Sequence, residues 1–208
     1  IFAVLMAGCV TTDDNVLVVG IDGEYPPYSY IDENGKAVGF DVESIQWIAE
    51  QKGFEVEISP RAWDGIIPAL LAGQIDMVYS GMSITPDRLE KVTFSNPYWE
   101  VNQGGVGKAG TTATVADFEA GKLLIGVQRG CSADQWMQEE FGQEKYDQMV
   151  KDGKIKLYDS FPQSMVALEQ GLVECVIFDD VNVEHYIKGD DAFQMIGVIE
   201  TGEVYAIA

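Results

Sequence analysis

One phrase of this chain occurs twice. Ala69-Leu-Leu-Ala-Gly-Gln-Ile-Asp-Met-Val-Tyr79 is echoed 98 positions later by Ala167-Leu-Glu-Gln-Gly-Leu-Val-Glu-Cys-Val-Ile177. Each copy has the end of a helix, a glycine suited to the left-handed residue that closes it, and then an apolar run of strand character. A junction repeated at this distance implies two similar α/β lobes in tandem, and 208 residues are enough to build both. Chance likeness between two ordinary helix–strand junctions is the other reading, so the surrounding pattern has to decide.

That pattern alternates. Val16 to Asp22 reads as a strand, and Ser29–Tyr30 with Ala37–Val38 flank a turn at Glu33-Asn34-Gly35. Asp41 is placed to cap a helix running to Lys52, ended by Gly53, with Val42, Ile45, Ile48 and Ala49 as its apolar stripe. Phe54 to Ser59 is the next strand, and Asp64 starts a short helix to Ala72. Leu123 to Val127, Ile155 to Tyr158 and Val173 to Phe178 read as buried strands, with Ser132 and Ser160 at cap positions of the following helices. Such alternation builds mainly parallel sheets, with ligand sites at the carboxyl ends of strands. Three loops meet that condition: Ser80 to Arg88, Gly130-Cys131-Ser132, and Asp179. A cleft between two lobes would gather them.

The first of these loops carries the plainest chemistry. Ile75 to Tyr79 delivers the backbone to the small-residue turn Ser80-Gly81-Met82-Ser83. Thr85 then caps a helix that begins at Pro86, and Arg88 lies in its first turn. N–H groups at a helix start attract anions, and an arginine fork grips a carboxylate through two parallel bonds. The turn is a candidate seat for a small ligand's carboxylate, or else an ordinary capped helix with a surface arginine. Asp179 is either an acid facing the same ligand or the N-cap of the next helix.

Charge and composition narrow the function classes. A net charge of −21 repels phosphate backbones and anionic lipid headgroups, so no nucleic-acid partner is expected. The single histidine, His185, lies beside Tyr186 and ahead of Lys188-Gly189 and reads as a helix-surface residue. No His/Cys cluster has metal-ligand spacing, so neither a metal site nor a Ser-His-Asp triad is expected, and no cofactor is called for. Cys131 and Cys175 are either paired in an oxidising compartment or two free thiols. At the N-terminus, Ile-Phe-Ala-Val-Leu-Met-Ala-Gly leads to Cys9. This run is too short to span a bilayer and fits the tail of a signal-peptide core. Ala7-Gly8-Cys9 resembles the lipidation box of prokaryotic lipoproteins, although Met6 stands where leucine is usual. A buried strand with a chance cysteine is the alternative. Thr11-Thr12-Asp13-Asp14-Asn15 then reads as a polar tether.

From about Val16 to Ala208 the chain resembles the extracellular solute-binding proteins of the polar amino-acid class, the bilobed receptors of ABC importers. The resemblance rests on a set of segments in order: Val19-Gly20-Ile21-Asp22, Tyr25-Pro26-Pro27-Tyr28, Val38-Gly39-Phe40-Asp41-Val42, Trp63-Asp64-Gly65-Ile66-Ile67-Pro68, Gly81 to Arg88, and Phe94-Ser95-Asn96-Pro97-Tyr98. It implies that Arg88, backbone groups near Gly81 and Ser83, and the loop Gly130 to Ser132 hold a ligand's α-carboxylate. It implies further that Asp179 and the backbone around Gly81 hold the α-ammonium, with Tyr25 and Trp63 as walls against the side chain. Cys131 departs from the family's usual Gly-Thr or Gly-Ser-Thr loop and leaves Ser132 as the hydroxyl there. The chain also stops where the family continues into C-terminal helices, which reads as a truncation. Asp22 and Glu24 place acid near the side-chain end, as would suit a cationic ligand, although aspartate at this position is common across the family.

The expected fold is a two-lobed, periplasmic-binding-protein-like α/β fold of type II, each lobe a mainly parallel sheet flanked by helices. Residues 1–15 form the signal tail and tether, 16–101 with 203–208 the first lobe, and 102–202 the second. Two hinge crossovers join the lobes, near Tyr98 to Gly104 and near Glu200 to Val204. The expected function is capture of a free amino acid, cationic or polar, by hinge closure, with delivery to a membrane permease. The expected site comprises Asp22, Tyr25, Trp63, Ser80, Gly81, Met82, Ser83, Arg88, Gly130, Ser132 and Asp179. The protein is expected to be a monomeric, membrane-anchored lipoprotein outside the cytoplasm and not an enzyme. The alternatives are the ligand-binding domain of a sensor and a dehydratase of the cyclohexadienyl or arogenate type on the same scaffold.

Overall fold

The computed structural model describes residues 15–208; the expected lipidation at Cys9 lies outside them. In chain order the first elements are β1 (Val16–Asp22), β2 (Glu24–Tyr25), β3 (Ser29–Ile31), β4 (Ala37–Val38), α1 (Phe40–Lys52), β5 (Glu55–Arg61), α2 (Trp63–Leu71), β6 (Met77–Val78) and α3 (Pro86–Leu89). Then come β7 (Trp99–Lys108), α4 (Val115–Glu119), β8 (Ile125–Gln128), α5 (Ser132–Phe141) and α6 (Gln143–Lys151). The chain finishes with β9 (Ile155–Tyr158), α7 (Phe161–Glu169), β10 (Cys175–Asp179), α8 (Asp180–Ile187) and β11 (Phe193–Tyr205).

Two main sheets give two lobes. The first is a three-stranded parallel sheet in the order β5-β1-β6, with β1 paired to β5 from Val16↔Glu55 to Asp22↔Arg61. Alternate side chains of β1 enter opposite layers, as a strand covered on both faces requires. Val19 and Ile21 meet Val42 and Ile45 of α1, whereas Val18 packs with Ile66 and Ala69 of α2. The second sheet has five strands in the order β11-β7-β10-β8-β9; β10, β8 and β9 are parallel, and β7 pairs antiparallel with both β10 and β11. A small antiparallel sheet, β2-β3-β4, completes the first lobe. After β11 the chain bonds the first lobe, where Val78 N–H donates to the Ala208 carbonyl (2.7 Å) and Ala208 N–H to that of Val78 (3.1 Å).

The repeated phrase is one structure built twice. Gly73 (φ 67°) and Gly171 (φ 72°) both follow a helix in the left-handed conformation. In each copy the glycine N–H donates three residues back, to Leu70 or Leu168 (3.0 Å each). The next N–H donates five back, Gln74 to Ala69 and Leu172 to Ala167 (2.9 Å each). That pair of bonds is the Schellman motif, which satisfies carbonyls that a helix end leaves open.

Helix starts differ from expectation at two places. The cap position of α1 is Gly39, and Asp41 lies one residue inside the helix, fully buried. A residue with a side chain does not fit at Gly39: its φ is 115° and an added Cβ would lie 2.4 Å from the Tyr28 carbonyl oxygen. Ser132 is the first residue of α5, behind Cys131 at the cap. Ser160 does occupy the cap position of α7, but its hydroxyl is buried without a partner among the described residues. Among the described residues no helix is long and apolar enough to cross a membrane.

Candidate functional site

Both sheets present the carboxyl ends of their parallel strands to one cleft. β1 ends in Asp22, β8 in Gln128 and β10 in Asp179, and all three side chains are buried there. The space between the lobes is lined from the first lobe by Asp22, Tyr25, Trp63, Gly81 and Arg88. The second lobe contributes Gln128, Cys131, Ser132, Phe178 and Asp179. Seven of the eleven expected residues therefore line one space.

The other four stand behind it. Ser80 is fully buried, accepts the Asp22 N–H (2.8 Å) and bonds Ser29 Oγ (2.8 Å), which fixes the turn to the end of β1. Ser83 presents its carbonyl to Arg88 and its hydroxyl to Ser132 Oγ at 3.4 Å. The Gly130 carbonyl accepts from Trp63 Nε1 (3.0 Å) and Arg88 Nη2 (3.1 Å), joining the lobes. Met82 packs in the first-lobe core with Ile66, Ala69 and Val78, so its side chain is a core residue.

Arg88 is the basic end of the cavity. Thr85 caps α3 as expected, accepting the Arg88 N–H at 3.3 Å, but the guanidinium is buried and not on the surface. Nη1 donates to the Ser83 carbonyl (2.8 Å), and the group sits 5.3 Å from the Trp63 ring centroid. Among the described residues no carboxylate forms an ion pair with it. Burial pushes its pKa down, offset in part by the nearby acids Asp179 and Glu203. A buried charge in this setting gains most from an anion that brings two acceptor oxygens.

The opposite end is acidic. Asp179 accepts from the hydroxyls of Tyr25 and Tyr205 on one oxygen and from Gln103 Nε2 (2.8 Å) on the other. It stands at the cap of α8, yet its side chain makes no cap bond. Its carboxyl is pushed up to about 6, first by burial and then by the charge of Glu203, against the pull of its hydrogen bonds. Asp22 is raised by burial too, while the Glu24 N–H and Gln128 Nε2 (3.1 Å) draw it back.

Gly81 shapes the floor. At φ 53° it takes a conformation that glycine adopts without strain, and an added Cβ would lie 2.3 Å from the Tyr25 ring. Its N–H donates to Asp41 Oδ2 (2.7 Å), so that donor is not offered to a ligand. Asp41 thus anchors the turn from below, its own pKa raised to about 7 by burial. Cys131 and Cys175 are both free, buried thiols. No group of three or more His, Cys, Asp and Glu among the described residues is placed to hold a metal ion.

Sequence reasoning passed over Gln128, Gln103 and Tyr205. Gln128 had a signal, since the rule that points to Asp22 and Asp179 as strand ends applies equally to the last residue of β8. Tyr205 and Gln103 reach the site through the pairing of β7 with β11, a long-range register that no local pattern encodes.

The chain is similar to known proteins in sequence and in overall fold. The family of bacterial extracellular solute-binding proteins, family 3, matches residues 17–182. The L-cystine-binding protein TcyJ of Escherichia coli (strain K12) is 32% identical over 83% of this chain, which spans 62% of that relative's length. An ancestral arginine-binding protein bound to arginine superposes with a TM-score of 0.82 at 35% identity, over 93% of this chain and 84% of that one. The ancestral amino acid-binding protein AncCDT-1, a precursor of cyclohexadienyl dehydratase, gives 0.78 at 30% identity, over 93% and 80%.

Proposed function

This chain belongs to the bacterial extracellular solute-binding proteins, family 3, and on that footing we propose that it captures a free amino acid between its lobes. The observation that carries the reading is the placement of two buried, opposite charges. Arg88 from the first lobe and Asp179 from the second face the same cavity without pairing to each other. An α-amino acid has the complementary charges, a carboxylate for the guanidinium and an ammonium for the acid, so each charge compensates the desolvation of its partner. Tyr25 and Trp63 flank the ligand's side chain, which runs toward Asp22 and Gln128. That end offers an acid and a carboxamide, suiting a cationic or polar side chain and disfavouring an anionic one.

Capture proceeds by closure. Ligand docks on the first lobe, and the second swings about β7 and β11 to bring Gly130 to Ser132 and Asp179 onto it. Residues 16–101 with 203–208 move as one body and 102–202 as the other. The closed form, a monomer outside the cytoplasm held by lipid at Cys9, is what a membrane permease receives. No bond is made or broken.

A thermal-shift panel of the twenty amino acids tests this, because a ligand that binds only the folded form stabilises it by RT ln(1 + [L]/Kd), so at one concentration tighter ligands give larger shifts. Arginine, lysine and glutamine are expected among the largest shifts and glutamate among the smallest. Arg88→Ala should abolish every shift and keep a cooperative melt. A panel without a shift, or an Arg88→Ala protein that binds normally by calorimetry, contradicts the proposal.

A further inference from the structure

Gln103 is fully buried on β7, at the join between the lobes, and its amide nitrogen faces more acceptors than it can serve. Nε2 lies 2.8 Å from Asp179 Oδ1, 3.0 Å from Glu203 Oε1 and 3.1 Å from Ser132 Oγ. A carboxamide has two N–H hydrogens, so at any moment one of these acceptors goes without. Glu203 Oε2 is also buried and has no partner among the described residues.

The backbone around this cluster is loosened in a particular way. The ladder between β7 and β11 pairs Gln103 with Ile199 and Val101 with Glu203, so that residues 200–202 of β11 stand against Asn102 alone. Across that gap the strands are tied by side chains: Asn102 Oδ1 accepts the Gly202 N–H (3.1 Å), and Gln103 bonds Glu203. One of the ties that hold the crossovers together thus shares its donor with Asp179. The negative charge of Glu203 also bears on Asp179, raising its pKa, and on Arg88.

We propose that Gln103 and Glu203 form a relay that makes closure depend on occupancy of Asp179. An ammonium group at Asp179 brings N–H donors of its own and releases Gln103. The freed amide then gives both of its hydrogens to Glu203 and Ser132, firming the tie between β7 and β11 that it otherwise shares with Asp179 and holding the second-lobe loop. Neither residue is a primary contact of the ligand in this scheme; both position groups that are. The inference rests on Asp179 as the ammonium partner.

Stopped-flow kinetics with L-arginine as probe, and L-glutamine as a second, tests it on Glu203→Met, Gln103→Met, their double variant and Asp179→Asn. A clasp made after docking acts on escape, so Glu203→Met and Gln103→Met should each dissociate about tenfold faster with association within about twofold of wild type. The double variant should be no faster than the worse of these two, because both remove one device. Wild-type dissociation in Glu203→Met, or additive effects in the double variant, overturns the relay. If one of the two does not fold, the other decides alone. Asp179→Asn separates the two levels. Lost binding there with an unaffected Glu203→Met removes only the relay, whereas wild-type binding by Asp179→Asn removes the ammonium assignment and the relay with it.

Discussion

At the scale of single residues, the site combines charges that would be costly in isolation. Arg88 is compensated by two carbonyls and the face of Trp63, and Asp179 by two tyrosine hydroxyls and an amide. Titration of Asp179 gives opposite slopes for binding and for stability. Its carboxyl, pushed up to about 6, must be ionised to hold an ammonium, so affinity should fall as pH drops below about 6. Folding runs the other way. Asp179 and Asp41, the latter raised to about 7, hold protons that the unfolded chain has released, so their stabilising contribution is complete below the ordinary carboxylate value of 3.8 and lost as pH rises through 6 and 7. Self-repulsion from a net charge of −21 has the same sign. Calorimetric titrations and urea melts at pH 5 and 8 should therefore show weaker binding and a higher free-protein midpoint at the acid end. Parallel slopes would show that Asp179 is not the titrating partner of the ligand.

At the scale of elements, the duplicated helix end was legible because its signal is local. A glycine at the left-handed position and an apolar run after it are both written in a few adjacent letters, at Gly73 and again at Gly171. An added Cβ at Gly73 would meet nothing within 4 Å, and at Gly171 only Lys108 Nζ at 3.8 Å. Alanine there pays only for the backbone conformation. Gly73→Ala and Gly171→Ala should each lower unfolding free energy by about 1 kcal/mol, and by nearly equal amounts in denaturant titrations. A several-fold difference would mean the two junctions are not equivalent. Strands β1 and β9 and the cap at Thr85 were readable for the same reason. Asp41 was not: its composition suggests a cap, but a tertiary bond to Gly81 claims its side chain and Gly39 takes the cap. Tyr205 was out of reach, since its place beside Asp179 depends on the register of a strand ending 26 positions further along the chain.

At the scale of the whole molecule, the proposed function lies in the relation between the lobes. Strand ends in each lobe line one space, and β7 with β11 runs between the two. Direct bonds from Trp63 and Arg88 to Gly130, and from Gln128 to Asp22, show how far the two halves interlock. The central claim is that the cleft grips both charged ends of one zwitterion. It is tested by titrating the best-binding amino acid of the panel against its decarboxylated relative, which lacks the partner of Arg88, and its deaminated relative, which lacks the partner of Asp179. Leaving either buried charge unpaired should weaken binding by roughly a hundredfold or more in both cases. Binding of either relative within a few-fold of the parent amino acid would contradict the account.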